Sequence, residues 1–447
     1  MESSLRSPTP DKKERAEAPT NEPARPAAAW ESWRPFQALL RLRTFEAVRH
    51  REFRLLWLGQ ASTAMATWMD QVARGWLIYE LTNSPVQLGL VRGVQAIPIL
   101  LLSPVAGSIA DRYPRKTLLM IAQVLDALMY GTIALLIITG LIEPWHVYVT
   151  AFGMSIVQTF QQPARAVMVA DAVPLNHLTN AIGLNSIVFN TARSTGPALA
   201  GVLIATFGTA SSYFLQAVFY LCAILWTMRL RPAPSSSTGA HGRFAHGTSF
   251  GRSIVEGWQF SWRNDTVRAA LVISTVASFF IVPFTTLLPV FARDLLAVGA
   301  TGQGLLLTMM GLGALCSAVL IASVGDQLPR GIFMMGGVML YGISVAAFST
   351  SPWFNLSLAL MAIVGLAHVS SHALVQTVIQ AYSPPELRGR TMSLFHMSHF
   401  VLTLGAMLIG TLASLWGARW AMASMGAAGA LSMVAIYMAM PRARLIR

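Results

Sequence analysis

The chain has 447 residues, 54% of them hydrophobic and only 11% charged, which excludes a soluble globular protein because too little charge remains to cover its surface. Its formal net charge of +13 would suit a nucleic-acid binder, but the basic residues gather on one side of a run of apolar segments. The two cysteines, Cys222 and Cys316, lie far apart inside apolar stretches, so no disulfide or metal framework follows from them.

Residues 1–28 are rich in Pro, Ala, Glu and Arg, the composition of a disordered tail, and lack the apolar core of a cleavable signal peptide. Over 29–52, Trp30, Trp33, Phe36, Leu39, Leu40 and Phe45 recur among Arg34, Arg41 and Arg43. That pattern fits an amphipathic interfacial helix, or else a sticky linker. At about 20 residues per span, roughly twelve apolar segments follow. They start near Phe53, Pro85, Thr117, Glu143, Thr179, Ser211, Val267, Thr301, Gly331, Pro352, Thr391 and Arg419. The stretch 231–266, with Pro232, Pro234, Ser235 and Gly239, reads as a linker between a half over 53–230 and a half over 267–440, with a tail at 441–447. About 26 of the 32 Lys and Arg fall in the tails, the linker and the connections on its side of the spans, and only Arg293 and Arg419 fall opposite. The asymmetry predicts an all-α protein of the inner membrane with both termini and the linker in the cytoplasm, and it accounts for the basic charge without nucleic acid.

The two halves echo each other. Gly107-Ser-Ile-Ala-Asp-Arg-Tyr-Pro-Arg115 returns as Ala322-Ser-Val-Gly-Asp-Gln-Leu-Pro-Arg330, and Gly196-Pro-Ala-Leu-Ala-Gly201 as Gly405-Ala-Met-Leu-Ile-Gly410. Two ordered matches at nearly one offset argue for duplication, and paired six-helix halves place a substrate site between them at mid-membrane. The loop formed by Gly107, Asp111, Arg112, Pro114, Arg115 and Lys116 resembles the signature loop of the major facilitator superfamily. Gly107 permits close helix contact, Pro114 makes a tight turn, and the charges can pair in one conformation and separate in another. The resemblance implies the major facilitator fold, a conformational latch with Asp111 near Thr391 and Arg115 near Asp171, and a weaker second latch at Asp326 and Arg330. Arg193, Gly196, Pro197 and Gly201 resemble the Gly-Pro kink motif of exporters in that superfamily, and a plain packing kink is the alternative. The run Trp68-Met-Asp70 through Trp76-Leu-Ile-Tyr79 to Ser84-Pro85 resembles the opening of the branch holding enterobactin exporters and macrolide-efflux proteins.

Ionisable groups inside a span are costly and therefore candidates for function. Asp70 and Arg74 stand one turn apart on one helix face, as a structural ion pair or a proton-coupling pair. Asp126, in a span usually peripheral in this fold, could carry protons or pair with Arg92. His368, His372, Gln376 and Gln380 form a polar stripe along the tenth span, with Gln158, Gln162 and Arg165 as counterparts on the fourth. Hydrogen bonding to substrate explains the stripe better than metal does, because no Glu or Cys accompanies the histidines. Arg165 could bind an anionic cargo or complete a gate with Asp171, and His396 and His399 read as gate residues. No phosphate-binding loop is present, and no nucleophile or metal cluster suggests an enzyme. The reading is a cofactor-free monomer that exports a small amphipathic compound, such as a siderophore or drug, by alternating access in exchange for protons. A lysophospholipid transporter of the same fold, or a non-transporting sensor or scaffold, are the alternatives.

Overall fold

Backbone N–H and C=O groups in a bilayer must bond within their own segment, and a chain this apolar answers with helices. The computed structural model describes residues 43–231, 250–324, 329–385 and 387–440, almost all of them helical. The first half comprises α1 (Arg51–Thr82), α2 (Pro85–Arg112), α3 (Arg115–Ile138), α4 (Pro144–Asp171), α5 (Leu178–Phe207) and α6 (Thr209–Met228). A short α7 (Phe250–Arg263) leads into α8 (Asp265–Leu295), α9 (Gly299–Val324), α10 (Arg330–Thr350), α11 (Phe354–Tyr382), α12 (Arg388–Trp416) and α13 (Ala418–Ala439). Among the described residues, nine of these helices are long and apolar enough to cross a membrane. The remaining three of spanning length, α1, α4 and α5, are more polar because they carry Asp70, Arg74, Gln158, Gln162, Arg165 and Arg193.

Turn chemistry sets the boundaries. Pro85 opens α2 at a position where its missing N–H costs nothing, and Pro144 does the same for α4, where Glu143 and His146 form a reciprocal cap. Asn264 caps α8 by accepting from Thr266 N and Val267 N at 3.0 and 3.1 Å. Gly208 and Gly417 each reverse the chain in a single residue at φ of 80° and 85°, a conformation that other residues avoid. They stand at matching places in the two halves, between α5 and α6 and between α12 and α13.

The helices that begin and end next to α7 define a linker end of the bundle, and the opposite end is called the far end below. The halves meet along two seams, α5 against α9 and α2 against α12. A Cβ added at Gly201 would stand 2.5 Å from Ala300 O, and one at Gly410 would stand 2.7 Å from Pro85 O. Gly304 packs on Pro197, and Gly89 on Ala406, in the same way. The contacts of one seam are thus the contacts of the other carried through the sequence repeat. Small residues let the backbones approach this closely, and packing and weak backbone contacts provide the attraction where lipid removes the hydrophobic drive.

Three segments depart from the expected pattern. The 231–266 linker is not uniformly irregular: α7 occupies its second part, with Gly257 against Arg390 of α12, Ser261 buried, and Val255, Trp258 and Trp262 exposed. The Trp258 and Trp262 rings stack at 5.0 Å, and Glu256 pairs with Arg390 of α12. Before α1, Arg43–Arg49 forms a 3₁₀ turn whose Ala47 and Val48 are buried with Phe53, Val169 and Leu184. That end of the 29–52 segment therefore packs on protein, while 1–42 lies outside the described residues. Finally, α8 is not a regular span. Pro283 and Pro289 remove two backbone donors, and the helix adjusts through π turns at Ala277–Ile281 and Phe291–Leu295 and a 3₁₀ turn at Val282–Leu287.

Candidate substrate and coupling site

The irregular part of α8 faces the most polar stretch of α1. Asp70, Gln71, Arg74 and Gly75 of α1, Leu88, Val91 and Arg92 of α2, and Thr285, Thr286 and Pro289 of α8 line one small cavity between the halves. Arg74 grips Asp70 with both arms, Nε to Oδ2 at 2.9 Å and Nη2 to Oδ1 at 3.0 Å. Arg74 is buried, its Nη2 also reaches Met154 Sδ at 2.8 Å, and Asp70 keeps 15% side-chain exposure toward the cavity. A bidentate geometry of this kind is among the stronger side-chain contacts.

Above the cavity the far end is clasped shut. Tyr79 of α1 donates to Asp294 of α8, Arg293 donates to Asn83, and the Arg293 guanidinium lies 4.7 Å from the Tyr79 ring centre. Sequence reasoning noted Arg293 only as a far-side cation and missed Asp294 altogether; the available signal was an acid directly beside it in a chain with few acids. At mid-depth Ser194 packs on Gly311, and the Arg193 guanidinium stands 5.5 Å from the Trp68 ring centre. Gly196 sits against Trp68 and Met65, where a Cβ would come within 2.9 Å of Trp68 Cβ. Toward the linker end, Gln158, Gln162, His372 and Gln380 are exposed and Gln376 is half-buried. The bundle is therefore closed at the far end and open at the linker end.

Several expected pairings are different in the structure. Asp126 does not meet Arg92: it is buried within the first half and bonded by Tyr220, which also bonds Thr67. Arg92 lies instead in the Asp70 cavity. Tyr130 lies 6.2 Å from Tyr213 and 5.4 Å from Tyr220 between ring centres, which makes a buried cluster of three tyrosines in the same half. Arg165 does not join Asp171. It reaches α1, donating to Gln60 and to Thr63 Oγ1, the latter at 3.0 Å, and its Nη2 is buried without a partner. The histidine stripe is partly occupied by aromatic contacts, with His368 5.3 Å from Tyr341 and His372 5.0 Å from Phe395.

At the loop between α2 and α3, Arg115 Nη1 donates to Asp171 Oδ2 at 2.8 Å, and Lys116 Nζ caps the end of α6 through Met228 O and Leu230 O. Pro114 precedes α3, and Arg330 opens α10. Asp326 and the side chains of Asp111, Arg112 and His399, together with the surroundings of Gly107, lie outside the described residues.

Comparison with known proteins places this geometry. A family model described as transmembrane secretion effector matches residues 43–445. The chain belongs to that family of major facilitator transporters. The transporter is 26% identical over 353 residues to the multidrug efflux pump Tap of Mycolicibacterium fortuitum, covering 77% of this chain and 85% of that one. It is 25% identical to the staphyloferrin A transporter of Staphylococcus aureus, over 79% of this chain and 87% of that one. Macrolide efflux protein A of Streptococcus pyogenes is 23% identical, over 77% and 84%. Among solved structures, a bacterial homolog of the human lysosomal transporter Spinster, in an inward-facing and unoccupied conformation, superimposes with a TM-score of 0.72 at 15% identity, over 89% of this chain and 98% of that one. That likeness establishes the fold. The transporter is an all-α membrane protein and not an enzyme.

Proposed function

We propose that the transporter sits in the plasma membrane with its linker end in the cytoplasm, works as a monomer, and exports small amphipathic compounds by alternating access coupled to inward proton flow. The observation that carries this reading is the placement of the Asp70–Arg74 pair. It is the ion pair in a cavity between the halves, below a closed far end and beside the proline-broken α8. Protonating Asp70 cancels the bidentate pair and releases Arg74, so one proton changes what holds α1 at the point where the halves meet. Asp126, bonded to Tyr220 in the same half, is the second proton carrier. Cargo enters at the linker end past Gln158, Gln162, Arg165, His368, His372 and Gln376.

The latch acts at the other level. Arg115 and Asp171 tie α3 to α4 while the linker end is open, and the pair is about two-fifths exposed, 36% and 45%. Arg115→Asp should change stability by less than about 1 kcal/mol, because exposed pairs contribute little. Export should nevertheless fall about tenfold, the effect of about 1.4 kcal/mol on the conformational balance. The charge-swapped Arg115→Asp/Asp171→Arg protein should recover most of it in a cell efflux assay.

The coupling reading is tested with inverted membrane vesicles and a panel of siderophores, macrolides and amphipathic dyes. Uptake of at least one compound should require an imposed pH gradient and vanish in Asp70→Asn. Uptake that ignores the gradient, together with full activity of Asp70→Asn, removes proton coupling.

A further inference from the structure

The Asp70 cavity holds more positive than negative charge. Both carboxylate oxygens of Asp70 are engaged by Arg74, so that pair is internally neutral. Arg92 projects into the same cavity from α2, and among the described residues no carboxylate forms an ion pair with it. Its hydrogen bond is a long one, Nη1 to Gln95 Oε1 at 3.5 Å. In the clasp above, Asp294 is taken by Tyr79 and Arg293. The Asp70 charge that reaches Arg92 is already paired with Arg74, and an arginine in a membrane span without an anion of its own costs free energy that packing does not return. Such a group is retained when something else supplies the missing charge.

We infer that the cavity receives an anionic group of the cargo, a carboxylate or its equivalent, at Arg92. The planar guanidinium matches a carboxylate in two-point geometry, and Gln71 and Thr286 offer neutral donors beside it. Leu88, Val91, Ile78 and Pro289 make up the apolar part of the lining, and the small cavity has room for the charged group, with the body of an amphipathic acid left outside it. The inference rests on the exporter reading for its meaning as a cargo site, while its chemistry stands on the charge count. The same arrangement discriminates: a cationic compound would meet Arg92 and Arg74 with only one carboxylate between them.

The test uses the purified full chain in detergent, with benzoate as the probe, benzamide as its neutral isostere and ionic strength held constant. Benzoate should raise the melting temperature of the wild-type protein saturably, and benzamide should not. Arg92→Gln should weaken the benzoate response at least about tenfold, and Arg92→Lys should retain part of it as a point charge. Without ligand, Arg92→Gln should melt close to wild type, because the hydrogen bond it removes is a long one and the charge it removes is in excess in the cavity. Equal stabilisation by benzamide, an unchanged response in Arg92→Gln, or no response to benzoate in the wild type would each overturn the anion site. The exporter reading fails on different grounds, namely no efflux of any compound by cells expressing a wild-type protein whose benzoate response is intact.

Discussion

Arg74→Met should destabilise the transporter by about 3 kcal/mol, because it takes the bidentate partner from the Asp70 carboxylate and leaves only the more distant Arg92 of the same cavity to offset it. Arg74 is the more buried member, with 4% side-chain exposure, so water cannot take its place cheaply. Adding Asp70→Asn to Arg74→Met removes the stranded charge, and the double variant should regain most of the lost stability. Transport should not return with it. In the proposed mechanism the pair is the element that protonation opens, so Asp70→Asn, Arg74→Met and the double variant should all fall at least about 100-fold in export, a loss of about 2.7 kcal/mol. Thermal melts and efflux assays on the four proteins form a double-mutant cycle that separates the two roles. A double variant that exports normally would make the pair a structural neutraliser and nothing more.

The seam glycines carry the second large effect. A leucine at Gly201 or Gly410 would drive its Cβ into Ala300 O or Pro85 O, and neither obstacle is a flexible side chain. Overpacking of this kind costs about 1–3 kcal/mol, and here the cost falls on the far-end-closed state alone. A penalty of about 2 kcal/mol shifts the balance between the two conformations roughly thirtyfold toward far-end opening. The two substitutions should act alike, because they sit at repeat-related positions in the two seams. Gly183→Leu on the same helix is the control, since a Cβ there meets nothing within 4 Å. With Cys222 and Cys316 replaced by serine and a cysteine introduced at Leu141 of the far end, labelling by a membrane-impermeant reagent should rise in Gly201→Leu and Gly410→Leu and stay unchanged in Gly183→Leu.

Most of the fold was legible because hydropathy and turn residues are local signals. The expected span starts fall within about three residues of the helices, as with Thr117 against Arg115 or Pro352 against Phe354. The repeat also had structural content: Gly201 and Gly410, matched by sequence, make matched contacts in space. What local pattern reading missed depends on tertiary neighbours or on short range. Pro283 and Pro289 were visible, but a mean over about 20 apolar residues hides two prolines, and the irregular α8 went unread. α7 has fourteen residues after a Ser- and Pro-rich stretch, too short to stand out as a span. Asp70 and Arg74 were found because they are one helical turn apart. Asp126 with Tyr220, Arg165 with Gln60, and Tyr79 with Asp294 join helices far apart in the chain, and single-sequence spacing carries no information on them.

In the proposed mechanism the two halves rock about the Asp70 cavity, and distances across both ends measure that motion most directly. With Cys222 and Cys316 replaced by serine, spin labels would be placed at Leu141 and Trp353 at the far end and at Leu175 and Arg388 at the linker end. Pulsed electron–electron distance measurement in lipid nanodiscs should give a short far-end and a long linker-end distance in one population. Lowering the pH should transfer weight to a second population with the opposite pattern, and Asp70→Asn should lie in that second population at any pH. A single pair of distances, unmoved by pH and by Asp70→Asn, would contradict the account.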